Sequence, residues 1–157
     1  MQIETKGRLA VVAMLELALL GERSLATLAS ISMRRRISLS YLELLFARLR
    51  EHGLVRSARG PGGGYGLSRK ATEITMAEIV RAVDGPQVLP EQYGADPGPA
   101  APGQRVRSDW HQDLERVMMD HLASVSLQDL AESARREANV SVAALSGASR
   151  VAAPHPS

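Results

Sequence analysis

A mainly α fold with a small β-hairpin wing is what the sequence predicts: a winged helix-turn-helix domain over residues 1–85, followed by a C-terminal dimerisation helix. Three observations lead there. Residues 38–52 read as an amphipathic helix, with Ser38 as its cap, Leu42, Leu45, Phe46 and Leu49 at helical spacing as a buried stripe, and Gly53 as its stop after a basic last turn. Directly after it, Leu54–Ala58 and Tyr65–Arg69 read as two brief strands joined by Arg59-Gly-Pro-Gly-Gly-Gly64, a loop too rich in glycine for a core. The charge is also split: residues 1–70 carry twelve Lys or Arg against five acids, a net of +7, and residues 71–157 carry seven against twelve, a net of −5. A basic first half beside an acidic second half suits a polyanion-binding module joined to a non-binding one.

Length and composition fit one domain of ordinary size with an appendage, since 157 residues, 45% of them hydrophobic, suffice for a single core. The sequence has no cysteine, which excludes disulfides, thiolate zinc sites, thiol nucleophiles and cysteine-ligated iron–sulfur clusters. The longest apolar candidate, Leu9–Leu20, is interrupted by Glu16 and is too short for a bilayer. The first seven residues do not resemble a secretory signal, so a cytoplasmic location is expected. Seventeen of the nineteen basic residues are Arg, whose planar fork suits phosphate and the guanine edge. A genome favouring arginine codons would also enrich Arg, but it would not divide the charge between halves.

In chain order, Thr5 is the expected cap of a first helix running to about Leu20. Leu9, Ala13, Leu17 and Leu20 lie on one face and Val11, Leu15 and Ala18 on the opposite one, so cover is expected from its own domain and from another subunit. Lys6 and Arg8 fall in its first turn, against the helix dipole, where phosphate would relieve them. Ser24 opens a short second helix, Leu25–Ser32, with Leu25, Leu28, Ala29 and Ile31 inward, and Met33-Arg-Arg-Arg-Ile37 is the expected turn. Three consecutive arginines are ordinarily a solvated run; beside a reading helix they become candidates for phosphate contact.

On the third helix Ser40, Glu43, Leu44 and Ala47 face away from the buried stripe, with Arg48 and Arg50 toward its flanks. Serine can donate or accept, glutamate can accept from a cytosine amino group, and Leu or Ala can touch a thymine methyl. An acid on a phosphate-facing surface repels DNA unless it meets a base, so Glu43 either tunes specificity or marks a non-binding face. In the hairpin loop Pro61 fixes its own backbone and Arg59 can reach into a narrow minor groove. The loop lacks the Gly-Lys-Ser/Thr of a P-loop and no helix follows it, which ranks nucleotide binding below DNA contact.

Past the wing, Ile74–Val83 reads as a fourth helix with a Thr75/Glu78 capping box, its Ile79, Val80 and Val83 completing the core. Residues 86–103, rich in Pro, Gly and Ala, read as a flexible connector. The next unit is 104–136. Within it Arg105–Leu122 is a helix striped by Val106, Trp110, Leu114, Val117, Met118 and Leu122, and too little chain follows to cover that stripe, so its expected partner is a second copy of itself or of the first helix. Ser126 caps a last short helix through Asp129, Leu130 and Ala131, and residues 137–157, Ala- and Ser-rich with closing prolines, are expected to be disordered. His111 and Glu115 are one turn apart, but His121 does not share a face with His111, so no metal site is expected. His52 reads as a partner of its helix's C-terminus, and no Ser-His-Asp grouping or carboxylate pair suggests an enzyme.

The run Arg59–Tyr65, with Lys6-Gly-Arg8, Ala13-Met14, Ile37–Glu43, Leu49-Arg50 and Gly53-Leu-Val55, resembles the Rrf2 family of transcription regulators, most of all its iron–sulfur cluster regulators. The resemblance covers residues 1–85 and recurs more weakly over Ser108–Leu130. It implies a sequence-specific homodimer on double-stranded DNA, with the third helix in the major groove, the wing in the minor groove and a long C-terminal helix for dimerisation. It implies DNA contacts at Ser38, Ser40, Tyr41, Glu43, Arg59, Gly60 and Pro61, to which the reading face above adds Leu44, Arg48 and Arg50. Leu44 stands where those relatives carry Gln, so a different target sequence is expected. Cluster-binding relatives also carry three cysteines and a histidine in the connector; a gap-free count back from Trp110 puts Gln92, Gly98, Gln104 and Arg107 there, none of them a thiolate or an imidazole. The expected regulator therefore has no cluster and no cofactor. The alternative is a protein- or ligand-responsive adaptor docking through residues 86–103.

Overall fold

The computed structural model describes residues 5–84 and 102–148, with side chains over 6–84 and 112–146. Its elements run α1 (Thr5–Leu20), α2 (Leu28–Arg35), α3 (Leu39–Glu51), β1 (Val55–Ala58), β2 (Gly64–Leu67), a 3₁₀ turn (Ala71–Glu73), α4 (Met76–Asp84), α5 (Pro102–Ser124) and α6 (Leu127–Ala148). α1 is apolar over more than one face and becomes the axis of the core. Ala10, Ala13, Met14 and Leu17 are buried, Leu9, Val11, Val12 and Leu15 pack partly against the core, and the helix meets α4 and α6 as well as α2, α3 and β2. Thr5 is the first helical residue rather than the cap; the residue before it lies outside those described.

α2 departs from expectation at both ends. It starts at Leu28, not Leu25, with Thr27 as the cap whose Oγ1 accepts from the Ser30 N–H at 3.1 Å. The reason is non-local: Ala26 exchanges two backbone hydrogen bonds with Tyr65, at 2.9 and 2.8 Å, and is held extended against the hairpin. Met33, Arg34 and Arg35, expected in the turn, form the last turn of the helix, Ala29 is exposed, and Ile31 is buried.

α3 follows its sequence closely because all its determinants are local. Ser38 Oγ accepts from the Tyr41 N–H at 3.2 Å, and Leu42, Leu45, Phe46 and Leu49 are buried. At the far end the Gly53 N–H reaches the Arg50 carbonyl at 3.0 Å and the Leu54 N–H the Leu49 carbonyl at 2.9 Å, the paired bonds that close a helix with a glycine after its last turn. His52 Nδ1 lies 2.9 Å from the Arg48 carbonyl oxygen.

β1 and β2 pair antiparallel, from Val55 opposite Leu67 to Ala58 opposite Gly64. They are joined through a turn in which the Gly63 N–H reaches the Gly60 carbonyl at 2.9 Å. Pro61 is at its second position and Gly62, with φ of 72°, at its third, the pattern of a type II turn. At Gly64 a Cβ would sit 2.5 Å from the Ala26 carbonyl oxygen, so the bridge between hairpin and α2 requires glycine there. The Tyr65 ring then meets Phe46 edge-on, with centroids 4.9 Å apart.

α4 begins with the predicted box: the Thr75 N–H donates to Glu78 Oε2 at 2.9 Å and the Glu78 N–H to Thr75 Oγ1 at 3.2 Å. The chain after α5 rejoins the domain beside this box. The Met76 N–H bonds the Val125 carbonyl at 3.0 Å and the Leu127 N–H the Ile74 carbonyl at 2.8 Å, while Ser126 and Asp129 form a second box at the start of α6. Leu127 and Ala131 are fully buried, so the domain core is completed from the C-terminal region as well as from α4. The expected short last helix is instead 22 residues long, and residues 137–148, expected in a disordered tail, are helical. This run has no proline and four alanines, so nothing in it stops a helix that is nucleated by the capped and buried start of α6. Residues 85–101, nearly all of the expected connector, lie outside the described residues.

Candidate nucleic-acid interface

The face of α3 opposite its buried stripe is open. Ser38, Ser40, Glu43, Ala47 and Arg50 are exposed, Leu44 is 49% exposed and Tyr41 is half-buried. No acid occupies the first turn of α3, so the positive end of its dipole is uncompensated beside Ser38. Arg48 is half-buried, and its Nη1 donates to the Val83 carbonyl at 3.1 Å, tying α3 to the last turn of α4. Arg48, expected on the flank of the reading face, thus has part of its hydrogen-bonding capacity taken by the fold.

The hairpin tip presents Arg59, Gly60, Pro61 and Gly62 to solvent. Arg56 Nε donates to the Leu67 carbonyl at 3.1 Å across the hairpin, the Ser68 N–H to the Leu54 carbonyl at 3.2 Å and Ser68 Oγ to the Gly53 carbonyl close its base, and the paired Ala26–Tyr65 backbone bonds fix it to the domain. The Tyr65–Phe46 contact joins the hairpin to the buried side of α3. α3 and the hairpin are thereby tied into one packed unit, which positions two separate surface features relative to each other.

Of the three arginines proposed for phosphate contact, two have another role. Glu16, buried in α1, accepts from Arg35 Nε at 2.5 Å and Arg34 Nη1 at 3.4 Å. No local pattern signals this pairing, because the partners are 18 and 19 residues apart; a lone acid inside an apolar helix is the one clue to it. Lys6 is half-buried and Arg8 exposed in the first turns of α1.

On α5, Leu114 and Val117 of the predicted stripe are exposed, at 38% and 62%, while Met118 and Leu122 are half-buried. Leu122 lines an apolar cavity of about 230 Å³ with Gly7, Arg8, Val11, Val12, Met76 and Val80. The side chains of Val106, Trp110 and His111 lie outside those described. Among the described residues no three His, Asp or Glu side chains gather as a metal site, and no helix is long and apolar enough to cross a membrane.

Comparison with known proteins matches residues 3–133 to the Rrf2 model, described as an iron-dependent transcriptional regulator. The chain is 44% identical over 130 residues to the HTH-type transcriptional regulator IscR of Photorhabdus laumondii, covering 83% of this chain and 79% of that protein. Among solved structures it is similar to IscR of T. potens, with a TM-score of 0.66, 32% identity and coverage of 85% and 88%. It is also similar to CymR, the global cysteine regulator of B. subtilis, with a TM-score of 0.64, 33% identity and coverage of 85% and 98%. An iron–sulfur cluster does not fit this chain's donor set, because the sequence contains no cysteine to supply thiolates.

Proposed function

The chain belongs to the Rrf2 family of transcriptional regulators, and from that premise we propose how it holds DNA and in what assembly. It is a DNA-binding regulator and not an enzyme, as its relatives are. In the proposed arrangement Ser38, Ser40, Tyr41, Glu43 and Leu44 meet base edges in the major groove, and Arg48 and Arg50 flank them toward phosphate. Arg59, Gly60 and Pro61 enter the adjacent minor groove. The observation that carries this reading is the exposed face of α3 standing beside an exposed, arginine-tipped hairpin on one packed domain.

The protein acts as a homodimer in this reading, through the 104–136 region. Support comes from Leu114 and Val117, apolar residues at helical spacing that the protomer itself leaves open. A two-fold dimer presents the same face twice, so the site is a pseudo-palindrome. The compartment is the cytoplasm, where the DNA is. Regulation proceeds without a cluster: the protein is expected to purify colourless, and anaerobic treatment with iron and sulfide to add no visible absorption. The testing experiment is selection of bound duplexes from random DNA with the purified chain. Enrichment of one pseudo-palindromic sequence is expected; a pool that stays random would sink the reading.

A further inference from the structure

The arginine run beside the reading helix is divided by the fold. Glu16, 7% exposed, holds Arg35 and Arg34, both in the last turn of α2, and these partners are what keep a carboxylate in the core from being stranded. Arg36 follows immediately and is different. Its side chain is exposed, and among the described residues no hydrogen bond or ion pair engages its guanidinium. It is also the one non-glycine residue among those described with a positive φ, at 54° with ψ of 41°.

That backbone conformation is imposed from both sides. Before it α2 must end, and after it Ser32 Oγ donates to the Ile37 carbonyl at 2.6 Å, Ile37 is buried, and Ser38 must start α3 as its cap. Glycine or asparagine is what a left-handed helix end favours, so an arginine here is held against the preference of its own backbone. Its position is two residues before Ser38, at the end of α3 where the dipole is positive and no acid intervenes.

We infer that Arg36 is a phosphate-binding residue of the DNA interface, clamping the backbone beside the start of the reading helix, while Arg34 and Arg35, though also at the surface, are engaged by the buried Glu16. This rests on the DNA-binding reading above. A planar guanidinium with all its donors free suits two phosphate oxygens at once. Such a contact carries no sequence information, so it strengthens every duplex alike.

The test uses the full chain, a duplex selected by the wild type and an unrelated duplex, with affinity followed by fluorescence anisotropy from about 50 to 200 mM salt. Arg36→Gly should melt at the same or a higher temperature, because glycine accepts the left-handed backbone. It should nevertheless bind both duplexes more weakly, with the log–log salt slope shallower by about 0.9 per protomer. Arg36→Lys should restore most of the slope. Arg35→Ala should do the reverse of the glycine variant, melting lower while leaving the slope unchanged. A wild-type slope in Arg36→Gly, or an equal loss of slope in Arg35→Ala, would overturn the division. A wild type that enriches no duplex in the selection and does not bind the unrelated one would instead remove the DNA-binding reading, and the inference with it.

Discussion

The region up to Asp84 and the region from Pro102 onward solve opposite problems. In the first, each of α2, α3 and α4 has its N-terminus capped by the preceding side chain, Thr27, Ser38 or Thr75, and its apolar face is covered by its own neighbours. In the second, α6 is rooted by Leu127 and Ala131 and by Arg135 Nη2 donating to the Ala18 carbonyl at 3.5 Å, and then its side chains from Arg135 to Ser146 are exposed. α5 likewise leaves Leu114 and Val117 open. The first region packs most of the core within itself, with Leu127 and Ala131 completing it, and leaves the polar face of α3 open; the second packs on the first through α5 and the start of α6 and leaves apolar side chains open. What differs is where each obtains its order: from intramolecular packing in the first region, and in the proposed homodimer from a second copy in the other.

The largest expected effect belongs to the first region's charge. If the proposed dimer neutralises about six to ten phosphates, affinity should fall on the order of 10³-fold or more between roughly 50 and 200 mM salt. Neutralising Arg116, which pairs with Asp113 at 2.6 Å on exposed α5, should leave that slope unchanged. A flat response in the wild type would remove electrostatic DNA binding, and a slope lost in Arg116→Ala would erase the contrast between the regions.

Next in size is the root of α6. Leu127→Ala should destabilise the whole protomer by about 2–5 kcal/mol in thermal or urea unfolding, since Leu127 is fully buried. Leu145→Ala, at a side chain 75% exposed, should change protomer stability by less than about 0.5 kcal/mol. Equal effects would mean that the far end of α6 is packed rather than open.

These contrasts also explain what the sequence did and did not disclose. α3, with its cap, stripe and terminal glycine, was readable because every determinant lies within 17 residues from Ser38 to Leu54. The start of α2 was not, because Ala26 is taken from the helix by Tyr65 on the hairpin. The length of α6 was missed for another reason: an exposed helix shows no inward-facing period, and its alanines and serines read equally as a solvated tail. The open face of α3 followed from subtraction of the buried stripe. The division of the arginine run did not, since it depends on Glu16 meeting α2 across the core.

Smaller effects belong to the reading surface itself. Arg59→Ala should weaken binding by about 1–3 kcal/mol if the wing reads the minor groove. Glu43→Ala should relax sequence preference while leaving binding to unrelated DNA equal or stronger, because a base contact and a repulsive charge leave together. Selection from random DNA with each variant checks both. An unchanged preference in Glu43→Ala would move the reading face off α3.

The smallest expected effect compares the two capping boxes, one at the end of the first region and one at the root of α6. The Glu78 carboxyl lies below its usual value of 4.5 chiefly because the Thr75 N–H donates to it, aided by Arg69 Nη2 at 3.1 Å, with partial burial opposing. Asp129 lies below its usual 3.8 because the Ser126 N–H and hydroxyl donate to it, and no cation adds to that. Both are depressed in the folded state, so each contributes stability above its ordinary value and loses it as pH falls through the folded one. Glu78 and Arg69 are each 39% exposed, which limits the Glu78 contribution to under about 1 kcal/mol. The melting temperature of the wild type should therefore decline below about pH 4.5, and Glu78→Gln should flatten part of that decline. Asp129→Asn should flatten less, and only at lower pH. Because the boxes adjoin through the Met76–Val125 and Leu127–Ile74 backbone bonds, the double variant should fall short of the sum of the two, as coupled neighbours do. Superimposable pH profiles for wild type and Glu78→Gln would show that the ionised box does not hold the joint between the two regions.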